Sequence, residues 1–249
     1  MESPLSDIRI GMVTDQWAKT QKIACYYSES TASTNTQAKT EAFSENALSE
    51  HLMIYIAEKQ SGGRGRGTNT WSNASPGSQL LSTWSFILES PPHPTVAPMM
   101  GLAIFRAASS TWPFLNWNLK APNDLFIDDK KVAGLLLETI SQGNDHRLLI
   151  GLGLNVISHP SDIKTAISLA AALPSTAPLL AEDWISFLER LVFEFSFSLQ
   201  LAFEPLNSTS SKALLHALNL HPQLTEKYLA LDANGNLQTA SKKISWLEL

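Results

Sequence analysis

A short unbroken apolar run at 52–57 (Leu-Met-Ile-Tyr-Ile-Ala) predicts a buried strand, and 79–88, rich in Leu, Thr, Trp, Phe and Ile, predicts a second, longer one. Further on, 119–127 and 132–139 read as two strands joined by the charged turn Asp128-Asp129-Lys130-Lys131, and 147–156 as the third strand of a meander. Helical spacing shows elsewhere. Over 99–111, Leu102, Phe105 and Arg106 fall on one stripe, after Pro91, Pro92, Pro94 and Pro98 have ended the preceding strand. Over 182–203, Trp184, Phe187, Leu188, Leu191, Phe193 and Phe195 give a long packing helix one apolar side. Shorter helices are expected at 15–22 and 211–218, and at 36–46, ahead of which the run Ser30-Thr31-Ala32-Ser33-Thr34-Asn35 has the composition of an N-cap. Asn234-Gly235 predicts a hairpin with a type I′ turn. The order of elements predicts an α+β fold: a mixed β-sheet with helices packed on one face.

One polar stretch interrupts this pattern in a chemically specific way. Residues 60–71, Gln-Ser-Gly-Gly-Arg-Gly-Arg-Gly-Thr-Asn-Thr-Trp, follow directly on the first strand. Glycines let backbone N–H groups approach a ligand, and each guanidinium fork matches a carboxylate or phosphate, so the loop has the makings of an anion site. A surface loop with incidental charge has the same composition, and the loop alone does not separate the two. Gly151 and Gly153 alternate with leucine on the last meander strand, leaving one face nearly bare, where a flat ligand has room.

Composition narrows the ligand. The 249 residues are 44% hydrophobic, enough for one large core, and carry 18 basic against 23 acidic side chains for a net charge of -5. An acidic chain with one local basic loop points to a small anion and away from nucleic acid or a membrane surface. Cys25 is the only cysteine, so a disulfide framework and a thiolate metal cluster are excluded, and a reducing, cytoplasmic location is expected. Met1, Glu2 and Asp7 open the chain without an apolar stretch, and no run reaches about 18 apolar residues, so neither a signal peptide nor a membrane span is expected; no metal-ligating residues are expected either.

Taken together, the polar points fall in an order that resembles the catalytic domain of bacterial biotin–protein ligases. The carriers are Ser33-Thr34-Asn35; Glu58 and Gln60 with Gly63-Arg64-Gly65-Arg66 and Trp71; Lys120 with Pro122-Asn123-Asp124; Lys131 with Gly134, Leu136 and Glu138; and Gly151, Gly153 and Asn155. Five ordered motifs over roughly residues 25 to 160 are specific where each alone is not. The resemblance implies a catalytic domain at 1–204 with a small, atypical C-terminal segment at 205–249, and no DNA-binding domain ahead of it. It implies activation of biotin by ATP to biotinyl-5′-AMP, assisted by Mg²⁺, and transfer to a lysine of a biotin carboxyl carrier protein. Lys131, Arg64 and Arg66 would be catalytic. Ser33, Thr34, Gln60, Gly63, Arg64, Lys131, Gly134 and Gly151 would hold biotin, and Arg66, Trp71, Lys120, Asn123, Asp124 and Asn155 would hold ATP. Two departures stand out: Gly67-Thr68-Asn69 replaces a further Arg-Gly-Arg, and Ala121 stands where the family has an aromatic. Two other readings stay open: a lipoate or octanoate transferase of the same fold, and a biotin-binding protein without efficient catalysis. The oligomeric state is not fixed by the sequence.

Overall fold

The computed structural model describes residues 9–246; Met1, Glu2 and Asp7, on which the expectation about a signal peptide rests, lie outside them. In chain order the elements are α1 (Ile10–Thr20), β1 (Ala24–Ser28), α2 (Thr34–Glu41), α3 (Glu45–Leu48), β2 (Leu52–Ala57), β3 (Gln79–Leu88), α4 (Val96–Thr111), β4 (Trp117–Lys120), β5 (Asp124–Ile127), β6 (Lys130–Gln142) and β7 (Asp145–Asn155). After these come α5 (Leu169–Ala172), α6 (Ala181–Gln200), α7 (Ser208–Asn219), β8 (Ala230–Leu231), β9 (Leu237–Gln238) and β10 (Lys243–Ile244). They belong to two compact units, one made of the chain up to Pro91 and Val132–Ile185, the other of Pro92–Lys131 and the chain from Ser186.

The first unit is built on a mixed sheet in which β1 runs parallel to β2, and β2, β3, β7 and β6 follow one another antiparallel. Register sorts its side chains. Trp84, Ile54 and Ile150 share one face, where Trp17 of α1 meets Trp84 at 6.2 Å and the Trp184 indole donates to the Thr14 hydroxyl at 3.1 Å. Thr83, Tyr55 and Gly151 share the other face, which is covered by α2 and α3 through Ala38, Ala47, Met53, Tyr55 and Leu149. A fully buried Arg147 stands on that second face, its guanidinium donating to the carbonyls of Ala47 (2.6 Å), Ser85 (3.0 Å) and Glu50 (3.3 Å) and to the Ser85 hydroxyl (2.9 Å).

Helix α1 starts five residues ahead of the expected 15–22 and ends at Thr20, because the buried stripe that continues through Trp17 and Ala18 already begins at Ile10 and Thr14. The helix expected over 36–46 is two helices. Ser33 caps α2, and Ser44 takes the Ala47 N–H at 3.3 Å to start α3, so the hydroxyl that interrupts the pattern opens a new helix.

In the second unit α4 begins three residues ahead of the expected 99, since Pro98 lies in the first turn, where its missing N–H costs nothing. The strand expected over 119–127 is instead the antiparallel pair β4 and β5, turned at Ala121-Pro122-Asn123 with a cis Ala121–Pro122 bond; a proline has no donor for a ladder there. Trp112 packs on Trp117 and Phe187, and His221 Nδ1–H donates to the Asn118 amide oxygen at 2.7 Å while the ring meets Phe126 edge-on. Phe193, expected in the buried stripe of α6, is 65% exposed; it sits two residues past Leu191, which on a helix is the opposite side. Residues from 205 onward supply α7 and the small antiparallel sheet β8–β9–β10. The turn before β9 is not type I′: Gly235 alone carries positive φ (+82°), and Asn234 stays on the ordinary side, so the loop has the form of a type I turn closed by a left-handed glycine.

Candidate functional site

The Gly-Arg stretch folds back on itself. Arg64 bridges Thr70, the Gly65 N–H donates to the Asn69 carbonyl at 2.8 Å, and the Trp71 N–H to the Gly63 carbonyl at 3.0 Å. Gly67 at the tip has φ +62°, a conformation that only glycine takes without strain. Several of the N–H groups expected to face an anion are thus spent inside the loop. Its root is also fixed. Buried Glu58 accepts from the Met12 N–H (3.1 Å) and the Tyr27 hydroxyl (2.8 Å), and Asn73 clamps the Gln60 backbone through its amide (3.1 and 2.6 Å).

Beside the root stands the N-terminus of α2. Ser33 takes the capping role, accepting from the Thr36 N–H. The Thr34 N–H donates to Gln60 Oε1 at 2.7 Å, with the Thr34 hydroxyl 3.3 Å from the same oxygen. Thr83 Oγ1 lies 2.9 Å from Thr34 Oγ1 and 2.6 Å from Asn35 Oδ1. Proton counting orients these contacts. An amide oxygen only accepts, so the single Thr83 proton goes to Asn35, and Thr34 is left to donate to Thr83. Asn35 then turns its Nδ2 to Glu138 Oε2 at 3.2 Å. Glu138 in turn holds Arg64 by two contacts, Nη1 to Oε2 at 3.1 Å and Nη2 to Oε1 at 3.0 Å, with Lys39 at 3.7 Å. Thr83, Asn35 and Glu138 were not singled out from the sequence as site residues. Glu138 and Asn35 sit in the quoted motifs, and the visible signal for Thr83 was a run of hydroxyls, Ser82, Thr83 and Ser85, in an otherwise apolar strand.

The glycine face is present, and the chain's own side chains lie on it. Gly134 pairs with Gly153 across β6 and β7, and Gly151 pairs with Leu136 on one side and Thr83 on the other. A Cβ on Gly153 would meet the Trp71 indole at 2.5–2.8 Å, and one on Gly151 would meet Asn35 Cγ at 2.8 Å. The space expected for a ligand directly above these residues is therefore taken by Trp71 and Asn35. Gly151→Ala should displace the Asn35 amide from both Thr83 and Glu138; overpacking of this kind costs about 1–3 kcal/mol, read as a lowered midpoint in urea unfolding. An unchanged midpoint would show that Asn35 yields freely. Asn155 is buried, its Oδ1 accepting from Gln79 at 2.7 Å and its Nδ2 donating to the Ile167 carbonyl at 3.2 Å, so both ends of its amide engage protein groups.

The remaining candidates lie in the second unit. Lys120 and Asp124 face each other across the β4–β5 pair, with the Lys120 ammonium 5.6 Å from the Phe126 ring centre. Asn123 is in the turn between them. Asp124 Oδ1 lies 2.7 Å from Lys131 Nζ. Among the described residues no group of three or more His, Cys, Asp or Glu is placed to hold a metal ion.

The sequence pattern of the Biotin/lipoate A/B protein ligase family matches residues 27–155, more than half of the chain. Human biotin–protein ligase is 32% identical in an alignment 161 residues long that covers 57% of this chain and 22% of the human protein. The bifunctional ligase/repressor BirA of Bacillus subtilis is 25% identical in an alignment 179 residues long that covers 67% of this chain and 51% of that protein. The chain thus spans about half or less of the length of these relatives. Among solved structures, biotin protein ligase from Aquifex aeolicus in complex with biotin and ATP matches with a TM-score of 0.62 at 22% identity, covering 89% of this chain and 95% of that one, a likeness of fold. With fold, ordered motifs and sequence match in agreement, the chain belongs to the biotin/lipoate A/B protein ligase family.

Proposed function

We propose that this chain is a biotin–protein ligase. The observation that carries this reading is the polarity of the ring around the loop, neutral hydrogen-bonding groups (Thr34, Gln60) at its root and the Arg64 fork further along. That sequence of groups suits a ligand with an uncharged ureido head and an anionic tail. Relatives bear on the substrate: the solved Aquifex protein holds biotin and ATP, and a Leishmania major biotin protein ligase of similar fold holds biotinyl-5-AMP.

In the first step a biotin carboxylate oxygen attacks the α-phosphorus of MgATP, a P–O bond to pyrophosphate breaks, and biotinyl-5′-AMP forms. In the second, the ε-amine of a lysine on a biotin carboxyl carrier protein attacks the acyl carbon, loses its proton, and releases AMP. The first step must bring two anions together, a repulsion of about 4 kcal/mol at 4 Å with an effective dielectric near 20. Cations offset it. We assign Arg64 to the biotin carboxylate, Arg66 to the phosphate, and Lys131 to the charge that passes between them in the transition state. Ser33, Thr34 and Gln60 bind the ureido head, with Gly63 and Gly134 giving close backbone approach and Gly151 serving the biotin site by admitting the Asn35 side chain beside it. Trp71, Lys120, Asn123, Asp124 and Asn155 serve the nucleotide, Asp124 by orienting Lys131. In this reading residues 1–204 carry catalysis, 205–249 are an appendage, and the protein works in the cytoplasm. No helix of the described residues is long and apolar enough to cross a membrane.

The test is calorimetry with biotin, with and without MgATP, alongside mass spectrometry of the product. Biotin binding followed by biotinyl-AMP and pyrophosphate is the expected result. Biotin binding that MgATP leaves unchanged, with no adenylate, would make this a biotin-binding protein. Adenylation of octanoate in place of biotin would make it a straight-chain acyl ligase.

A further inference from the structure

The contacts around the Gly-Arg loop close into a circuit. From Gln60 at the root it runs through Thr34, Thr83, Asn35 and Glu138, and Glu138 returns it to the same loop at Arg64. All five of these links join residues that are 26 to 103 positions apart in sequence, and each has a donor matched to an acceptor once the threonine protons are assigned as above. Glu138 is the member of the circuit that carries charge against Arg64. Its two-point contact uses Nη1 and Nη2 of the guanidinium and does not involve the Nε–H edge, so the fork is held in place while that edge remains outside the contact. A long, rotamer-rich side chain that is already immobilised loses less freedom when a second anion arrives.

We infer that Glu138 is a positioning residue: it holds Arg64 ready for the carboxylate of the ligand and, through Asn35 and Thr83, ties that fork to the groups that meet the ureido head. This rests on the biotin reading above and adds to it the residues that set the geometry without touching the substrate. The consequence is selective. Loosening Glu138 weakens ligands that present a carboxylate to Arg64 and spares those that do not.

The experiment measures Kd by calorimetry, on the full chain, for biotin and for biotinol, in which a primary alcohol replaces the carboxylate. Glu138→Gln keeps the size of the side chain and removes its charge and one of its two acceptors. It should raise the Kd of biotin by about tenfold, the scale of one charge-assisted hydrogen bond, and leave biotinol within about twofold. Should Glu138→Gln not fold, Glu138→Asp keeps the charge and shortens its reach, and should give a smaller loss confined to biotin. Equal loss for both ligands would make Glu138 a structural residue and overturn the inference. So would no loss, or tighter biotin binding, which would make Glu138 a competitor for Arg64. If the unaltered protein binds neither ligand, the biotin reading itself fails and takes this inference with it, an outcome distinct from the others.

Discussion

Lys131→Ala is expected to slow biotinyl-AMP formation by about 10²–10³-fold while changing the Kd of biotin by less than about tenfold. The asymmetry follows from where charge is greatest. In the bound ground state the carboxylate and the α-phosphate are separate anions, each with other partners. As the new P–O bond forms, charge gathers between them, and a cation assigned to that position acts mainly on the transition state. The pairing of Lys131 with Asp124 at 2.7 Å matters here, since it fixes the ammonium before substrate arrives. Removing the lysine leaves Asp124 partly exposed to solvent, so the protein should stay folded and the loss should be kinetic. Single-turnover formation of pyrophosphate, set beside calorimetry, separates the two. Adenylate formation at the normal rate in a folded Lys131→Ala protein would show that the lysine is structural.

The second large effect concerns stability and lies away from the chemistry. Arg147→Met should destabilise the protein by about 3 kcal/mol, the scale on which several buried acceptors lose their donors. Arg147 is fully buried, and its contacts given above are a hydroxyl and three carbonyls, two of them at the end of α3. Burial pulls its pKa below the ordinary arginine value, yet a guanidinium starts so high that it keeps its charge. Helix ends leave carbonyls without partners, and here one side chain collects them. Methionine fills a similar length and offers no donor. For a chain of this size the loss corresponds to roughly 10 °C in Tm. A Tm within about 2 °C of the parent would mean that water or backbone movement replaces the arginine.

How much of this was legible in the sequence depended on whether the cue was local. Leu52–Ala57 and Gln79–Leu88 form strands at the bounds expected, because a continuous apolar run in the first and a concentration of β-branched and aromatic residues in the second need no knowledge of neighbours. The mixed α+β sheet and the family were legible for the same reason, being carried by motifs each contained in a few residues. Phe193 is apolar in content but lies at the wrong angle for the buried stripe of α6, and in 119–127 one proline outweighs the apolar pattern around it. The circuit through Thr83, Asn35 and Glu138 was out of reach. Its members meet only because the register sets Thr83 and Leu136 on either side of Gly151, with Asn35 lowered between them, and register is a property of the assembled sheet.

The bare strand bears on how a sequence of this kind can vary over time. The hollow over Gly151 is filled by Asn35 and that over Gly153 by Trp71, residues far off in the chain. Neither member of such a pair can drift alone. A larger residue at 151 becomes acceptable only in a lineage that has first reduced residue 35, and a side chain at 153 only once the indole at 71 has gone. Each intermediate opens a void beside the loop or forces a clash, so substitutions at these sites should arrive as linked pairs.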